Sequence, residues 1–163
     1  MKRIISLALI LVMVLALVGC ADTAKQDAIM NYVNVDLVAI AEIEGQMLES
    51  FESVSGDNYV DDETMYNEFN NVTAILARDL NNKATEIAGT ITDPELLEVH
   101  KIYMDYATKF SSAINIMIAA LQEQDTAQVA EANEKINESN NLYLDYNQKL
   151  NALIEANGLT FEE

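Results

Sequence analysis

Turn-forming residues are scarce in this sequence of 163 residues, which contains one proline and five glycines. A β-sandwich requires turn signals about every ten residues, and a βαβ fold requires apolar strands that alternate with helical segments. Neither pattern is present. Apolar residues recur instead at intervals of three and four, the spacing of amphipathic helices. The sequence therefore predicts an all-α protein.

Basic residues are also scarce, and nine Lys and Arg against 27 Asp and Glu give a formal net charge of −18. Two of the nine precede Cys20 and no acid does, so the rest of the chain carries seven basic and 27 acidic residues, a net charge of −20. Such a surface repels nucleic acid phosphates and anionic lipid headgroups. We therefore expect no nucleic-acid partner, whereas solubility, cation attraction or a basic partner would all suit this charge.

A single histidine, His100, limits the chemistry. A di-iron helical bundle requires two Glu-x-x-His pairs, but Leu97 lies three residues before His100. Covalent haem attachment requires Cys-x-x-Cys-His, which is absent from the sequence. Ser111 and Ser112 lie about three turns beyond His100 on the same predicted helix, too far for a serine–histidine pair. We therefore expect a non-enzymatic protein without cofactor, in which His100 is a hydrogen-bonded residue at the boundary of the core.

An acidic segment, residues 57–63, is the one stretch that could attract calcium. It lacks the EF-hand order, which places a glycine sixth and a glutamate twelfth among alternating oxygen ligands. We interpret it as a solvated loop that caps the following helix, and we predict no metal site in the chain.

The first twenty residues, MKRIISLALILVMVLALVGC, begin with a basic pair and continue in an apolar run, residues 4–18. The run of about fifteen residues is too short for an ordinary membrane span. It ends in Leu17-Val18-Gly19-Cys20, which resembles the lipobox of bacterial lipoproteins. The resemblance implies cleavage before Cys20, a diacylglycerol thioether on its sulfur, and anchoring to the extracytoplasmic face of a cell membrane.

This resemblance divides the chain into a signal peptide, residues 1–19, a lipidated cysteine with its tether, residues 20–24, and the mature domain. The competing roles, an uncleaved anchor or a free thiol at Cys20, are disfavoured because no basic residues follow the apolar run and Cys20 stands where cleavage would place it first. Cys20 is the only cysteine, so its lipidation excludes disulfides, thiolate catalysis and cysteine–metal sites.

Four helical segments can be read in the mature domain, residues 25–158. They cover residues 25–53, 61–91, 94–121 and 126–157, and residues 159–163 are predicted to be a C-terminal tail. Asp93-Pro94 and Asp125-Thr126 are helix starts with a capping side chain, and Asn157-Gly158 is a typical helix end. Long helices joined by short connections predict an up-down-up-down four-helix bundle. Two helical hairpins that associate only through a partner chain are the alternative architecture.

A tyrosine pair recurs in the last two helices, at residues 103–106 and again at residues 143–146. If these helices fold back on each other near Gln124, Tyr103 faces Tyr146 and Tyr106 faces Tyr143. The same register brings Asp36 and Arg78 to this level of the bundle. The predicted polar layer therefore contains Asp36, Arg78, Tyr103, Tyr106, Tyr143 and Tyr146. Its tyrosines are either core residues whose hydroxyls reach polar neighbours or the lining of a ligand site.

Two function classes follow from these patterns. The first is a lipid-anchored protein-interaction or envelope-structural module, with membrane lipid bound through Cys20 and Tyr59 in a distal loop available to an envelope protein. The second is a small-ligand-binding or sensor subunit that uses the polar layer. A closed core favours the first class, and an enclosed polar pocket at Arg78 favours the second.

Overall fold

The computed structural model describes residues 14–16 and 23–161. Cys20, the cleavage site and most of the predicted signal peptide lie outside these described residues, as do Glu162 and Glu163. The predictions of lipidation and processing are therefore carried by the sequence alone.

The described chain is mostly helical, which confirms the all-α class. Helix α1, residues 23–53, consists of Thr23–Asn31, a π-helical turn at Tyr32–Asp36, and Leu37–Ser53. Helix α2, residues 62–88, consists of Asp62–Glu68, a second π-helical turn at Phe69–Thr73, and Ala74–Ala88. Helices α3 and α4 are uninterrupted and cover Pro94–Glu123 and Thr126–Ala156.

Three helices begin at capping carboxylates, of which Asp93 and Asp125 were predicted by position. Asp61 Oδ1 accepts a hydrogen bond of 2.7 Å from the backbone N–H of Thr64. Asp93 and Asp125 accept equivalent bonds at the starts of α3 and α4. These bonds satisfy N–H groups that have no partner within the helix, so the caps fix where each helix starts.

The C-terminal residues differ from the predicted tail. Gly158 has a φ of +68°, a conformation that residues with a side chain rarely adopt, and it turns the chain back after α4. Leu159 follows it into the core and is fully buried. Strand β2, Leu159–Phe161, pairs antiparallel with strand β1, Val14–Ala16, with Leu15 opposite Thr160.

The core lies along the inner faces of all four helices and contains Phe110 of α3 and Leu150 of α4. Helices α3 and α4 pack most closely, because small side chains are buried along them. These small residues are Ala107, Ala113, Ala120, Ala132 and Ser139. Across residues 23–161, none of the helices combines the length and hydropathy that crossing a bilayer would require.

Candidate functional site

Aromatic side chains from α1, α3 and α4 meet in the middle of the molecule. The centroids of neighbouring rings are 5.0–6.2 Å apart, in mostly edge-to-face or tilted arrangements. Such geometries suit the charge distribution of aromatic rings. We call this set the tyrosine cluster, and it consists of Tyr32, His100, Tyr103, Tyr106, Tyr143 and Tyr146.

The facing pairs predicted from helix register are the pairs that the structure contains. The Tyr103 and Tyr146 ring centroids are 5.1 Å apart, and those of Tyr106 and Tyr143 are 5.0 Å apart. Tyr32 was not predicted to join them. It lies in the π-helical turn of α1, and its phenol ring packs edge-on against His100 at 5.4 Å.

His100 is at one end of a hydrogen-bond chain. Its Nε2 lies 2.8 Å from the Ala84 carbonyl oxygen, which can only accept, so Nε2 carries the hydrogen. Neutral His100 therefore accepts at Nδ1 from the Tyr32 hydroxyl, at 2.9 Å. The Tyr32 oxygen in turn accepts from the Tyr146 hydroxyl, at 3.0 Å. Each hydroxyl in the chain is paired, and the direction of donation is set by the backbone carbonyl.

The expectation that His100 lies at the core boundary was wrong, because its side chain is fully buried. Burial lowers the pKa of His100, while the hydrogen bond to Ala84 and the charge of Asp36 act in the opposite direction. His100 is consequently neutral at pH 7 and hydrogen-bonded at both ring nitrogens. No lone pair remains for a metal ion or for proton abstraction from a substrate.

Glu44 of α1 lies against the cluster from the opposite side. Only 3% of its surface is exposed, and burial raises its pKa to about 7, although the Tyr106 and Tyr103 hydroxyls act to lower it. Its charge raises the pKa of each tyrosine of the cluster. Glu44 therefore influences all five tyrosines of the cluster.

Two polar atoms on this side, Glu44 Oε1 and the Tyr103 hydroxyl, make no hydrogen bond of ordinary geometry among the described residues. The Tyr103 hydroxyl is nevertheless close enough to Glu44 to lower the pKa of the carboxyl group. The Tyr103 side chain is 1% exposed, so bulk water does not reach it. Burial raises the pKa of the tyrosines, to about 12 for Tyr143 and well above the usual range for Tyr103 and Tyr106. The hydroxyls are thus neutral donors at physiological pH, and the carboxyl group is the one that can change charge.

Sequence reasoning missed Glu44, although a signal for it existed. The residue shares the inner face of α1 with Ile40 and Met47, four residues before it and three after it, and all three are buried. A carboxylate at a core position of the 3.6-residue repeat indicates a buried acid.

Arg78 is not part of the polar layer, contrary to prediction. Its side chain is 66% exposed and pairs with the adjacent Asp79 at 3.0 Å. The inward positions of this turn belong to Ala77 and Leu80, both fully buried. Each helical residue is rotated by about 100° from the one before it. Because Ala77 faces the core, the next residue, Arg78, points toward solvent. The register argument therefore assigned Arg78 to the wrong face of α2.

Asp36 lies at the edge of the cluster. It is half-buried at the end of the π-helical turn, and its Oδ2 is 3.4 Å from Asn31 Nδ2. Burial raises the pKa of Asp36, while the neighbouring His100 and Lys83 side chains act to lower it. Asp36 thus contributes negative charge beside His100 without entering the ring of tyrosines.

Tyr59, the predicted contact for a partner, lies in the segment between α1 and α2 and is 48% exposed. Its hydroxyl donates to Asp62 Oδ1 at 2.8 Å. The neighbouring Val60 is more exposed still, so this end of the molecule presents an apolar side chain beside carboxylates.

An open groove of about 460 Å³ lies between α3 and α4, and none of its lining residues belongs to the tyrosine cluster. It is lined by Asp105, Thr108, Lys109, Ser112, Lys135 and Leu142. Within residues 23–161, no group of three or more histidine, cysteine or carboxylate side chains is arranged to hold a metal ion. In comparisons with known proteins, no family model, curated protein or solved structure matches this chain.

Proposed function

We propose that this protein is a bacterial lipoprotein, anchored through Cys20 to the extracytoplasmic face of a cell membrane, that acts by binding other proteins and not by catalysis. The observation that carries the proposal is the lipobox-like Leu17-Val18-Gly19-Cys20, which is followed almost directly by the first helix at Thr23. The buried state of His100 agrees with a binding role, since its two ring nitrogens are engaged within the fold.

We further propose that the four helices run up-down-up-down. The starts of α1 and α3 are joined by an ion pair between Lys25 and Glu95. Gln26, also at the start of α1, donates at 2.7 Å to the carbonyl oxygen of Asn157, just after α4. At the other end, Gln122 of α3 donates at 2.7 Å to the Tyr66 hydroxyl, near the start of α2. These contacts support alternating helix directions.

Anchoring is tested by changing the lipidated residue. Cys20→Ala should abolish incorporation of radiolabelled fatty acid and leave the precursor unprocessed, because the thioether requires the cysteine sulfur. Thr23→Ala, three residues further on, is the matched control and should be labelled like the natural chain. Label retained in the Cys20→Ala protein would contradict the lipoprotein proposal.

The proposed anchor and topology together set an orientation. The two residues between Cys20 and Thr23 allow a separation of roughly 11 Å at most, so the start of α1 stays near the membrane. A helix of 31 residues is about 45 Å long, which places Asn58 and Tyr59 far above the lipid. A spin label at Thr92 should be broadened by headgroup-bound paramagnets, and one at Asn58 should not. Equal broadening at both positions would contradict an upright bundle.

Partner binding is tested at the distal end. A photocrosslinker at Tyr59 should capture an envelope protein, and the same crosslinker at the exposed Thr90, at the opposite end of α2, should not. Identical products from both positions would mean that Tyr59 is not a specific contact.

The second candidate function is a small-ligand-binding or sensor subunit. It is favoured by the unpaired polar atoms of Glu44 and Tyr103, because buried groups in native proteins nearly always have a partner. In this form the site comprises Glu44 and the tyrosine cluster, and Arg78 has no part in it.

A further inference from the structure

Ion pairs are distributed unevenly over the four helices. Helix α1 carries six acidic residues and one basic residue, Lys25. All seven basic residues within residues 23–161 form ion pairs, and every acidic partner belongs to α2, α3 or α4. Among the described residues, α1 is therefore the helix whose carboxylates take part in no ion pair.

One side of α1 combines these acids with exposed apolar groups. Residues 38, 42, 45, 49 and 52 follow one another at intervals of four and three, so they lie along one line of the helix. Val38 is 40% exposed, and Val35, in the preceding π-helical turn, is 58% exposed. We call this surface the α1 outer face, and its residues are all exposed: Val35, Val38, Glu42, Gly45, Glu49 and Glu52.

Gly45 is the residue of this face that the fold itself does not explain. It lies inside α1 and its φ is not positive, so no turn requires a glycine there. A Cβ atom placed on it would meet no atom within 4 Å, so no close packing within the described chain requires one either. Glycine destabilises a helix relative to alanine, but it lets another backbone approach closely. Contact with a second molecule would account for it.

We propose that the α1 outer face binds a basic amphipathic helix of a partner protein. The inference rests on the proposed function, in which this protein acts by binding other proteins, and it names the surface and the kind of partner. Val35 and Val38 supply the apolar contact, and Gly45 lets the two helices approach closely. The carboxylates of Glu42 and Glu49 attract the Lys or Arg side chains that flank the apolar face of the partner.

Charge decides between the occupants that an exposed helix face could have. A second copy of this chain would place carboxylates against carboxylates, which is unfavourable. Anionic lipid headgroups would be repelled in the same way. A basic amphipathic helix matches both the charge and the apolar groups. The face extends for about 25 Å from Val35 to Glu52, so a partner helix of about five turns would cover it.

The chain has no tryptophan, which allows a selective optical test. The probe is an amphipathic helical peptide of roughly three heptads, with Leu and Ala on one face, Lys on both flanks and a single tryptophan. Full-length protein in nonionic detergent and physiological salt is added to the peptide, with empty micelles as the blank. We expect a saturable change in tryptophan fluorescence, and none with the same peptide in which Glu replaces each Lys.

The carboxylates are tested by a pair of neutral substitutions. Glu42→Gln together with Glu49→Gln should weaken binding of the Lys peptide by about tenfold or more, because two charged contacts are lost. Glu134→Gln together with Glu155→Gln is the matched control, since it removes the same charge from exposed positions of α4. The control should change binding by less than about twofold, because distant surface charges are screened by salt.

The close approach is tested at the glycine. Gly45→Gln should also weaken binding of the Lys peptide by about tenfold or more, because the added side chain keeps the two helices apart. The free protein should remain fully helical and at least as resistant to heat as the natural chain, since glutamine favours helix and the position is open. Circular dichroism during thermal unfolding measures both properties.

No saturable binding of the Lys peptide, unaltered binding in folded Gly45→Gln protein, or equal weakening by the α1 and α4 pairs would each overturn the proposal. Equal weakening would indicate unspecific attraction to an acidic surface. Dimerisation in sedimentation experiments that Gly45→Gln abolishes would assign the face to a second copy instead. Fatty-acid labelling of Cys20 and crosslinking from Tyr59 are independent of these titrations, so failure of the α1 outer face is distinguishable from failure of the anchoring and partner-binding proposal.

Discussion

The two sides of the tyrosine cluster differ in how their polar atoms are paired. On the His100 side, the imidazole and the hydroxyls of Tyr32 and Tyr146 form a continuous chain that ends on a backbone carbonyl. On the Glu44 side, one carboxyl oxygen and the Tyr103 hydroxyl make no hydrogen bond of ordinary geometry in the described chain. The first arrangement stabilises the fold, whereas the second leaves buried polar atoms poorly satisfied and weakens it.

The largest loss of stability should come from a substitution on the His100 side of the cluster. His100→Ala removes a fully buried ring and leaves the Ala84 carbonyl and the Tyr32 hydroxyl unpaired. We expect the free energy of unfolding to fall by about 3–5 kcal/mol, from the cavity and the lost hydrogen bonds together. Urea unfolding followed by circular dichroism measures this loss. A loss below about 1 kcal/mol would mean that the chain is not a stabilising network.

On the Glu44 side, a substitution is expected to raise the free energy of unfolding. The pKa of Glu44 is raised from 4.5 to about 7, so the folded state holds a proton that the unfolded state releases between these pH values. Stability contributed by protonated Glu44 is therefore present at low pH and is lost as the pH rises through about 7. At about 1.4 kcal/mol per pH unit, the loss approaches roughly 3 kcal/mol above pH 8.

Glu44→Gln should consequently stabilise the protein at pH 8 by up to about 3 kcal/mol and change little at pH 4.5, where both side chains are neutral. His100 has a lowered pKa and gives the opposite slope below about pH 6.5, so the difference between Glu44→Gln and the natural chain isolates the carboxyl group. Equal effects of the variant at both pH values would show that Glu44 does not titrate in this range.

A smaller difference in stability is expected between removing the Tyr32 hydroxyl and removing the Tyr103 hydroxyl. Tyr32→Phe removes a donor to His100 and an acceptor for Tyr146, and should lower stability by about 1–3 kcal/mol. Tyr103→Phe removes a hydroxyl that makes no hydrogen bond of ordinary geometry, and should change stability by less than about 1 kcal/mol. Chemical denaturation of the two variants side by side gives the comparison. Equal losses would mean that Tyr103 has a partner in the ligand-free protein.

Some of this site could be predicted from the sequence and some could not. Helix register alone matched Tyr103 with Tyr146 and Tyr106 with Tyr143, because uninterrupted helices joined by a short turn have a predictable alignment. The π-helical turns in α1 and α2 have no local sequence signature, and each one rotates the residues that follow it. Tyr32 lies in such a turn and Glu44 lies after it, so their approach to the cluster depended on a feature that spacing rules do not include.

The smallest effect is expected at Arg78, which was predicted to join the layer and is exposed in the structure. Its partner is the adjacent Asp79, and exposed ion pairs of this kind contribute between zero and about 1 kcal/mol. Arg78→Ala should change the free energy of unfolding by less than about 0.5 kcal/mol. Ala77→Arg, which moves the guanidinium one position into the fully buried face, should destabilise strongly, because an unpaired charge would lie in the core. A loss above about 1 kcal/mol in Arg78→Ala, or a tolerated Ala77→Arg, would mean that α2 presents the opposite face and that the guanidinium belongs to the tyrosine layer after all.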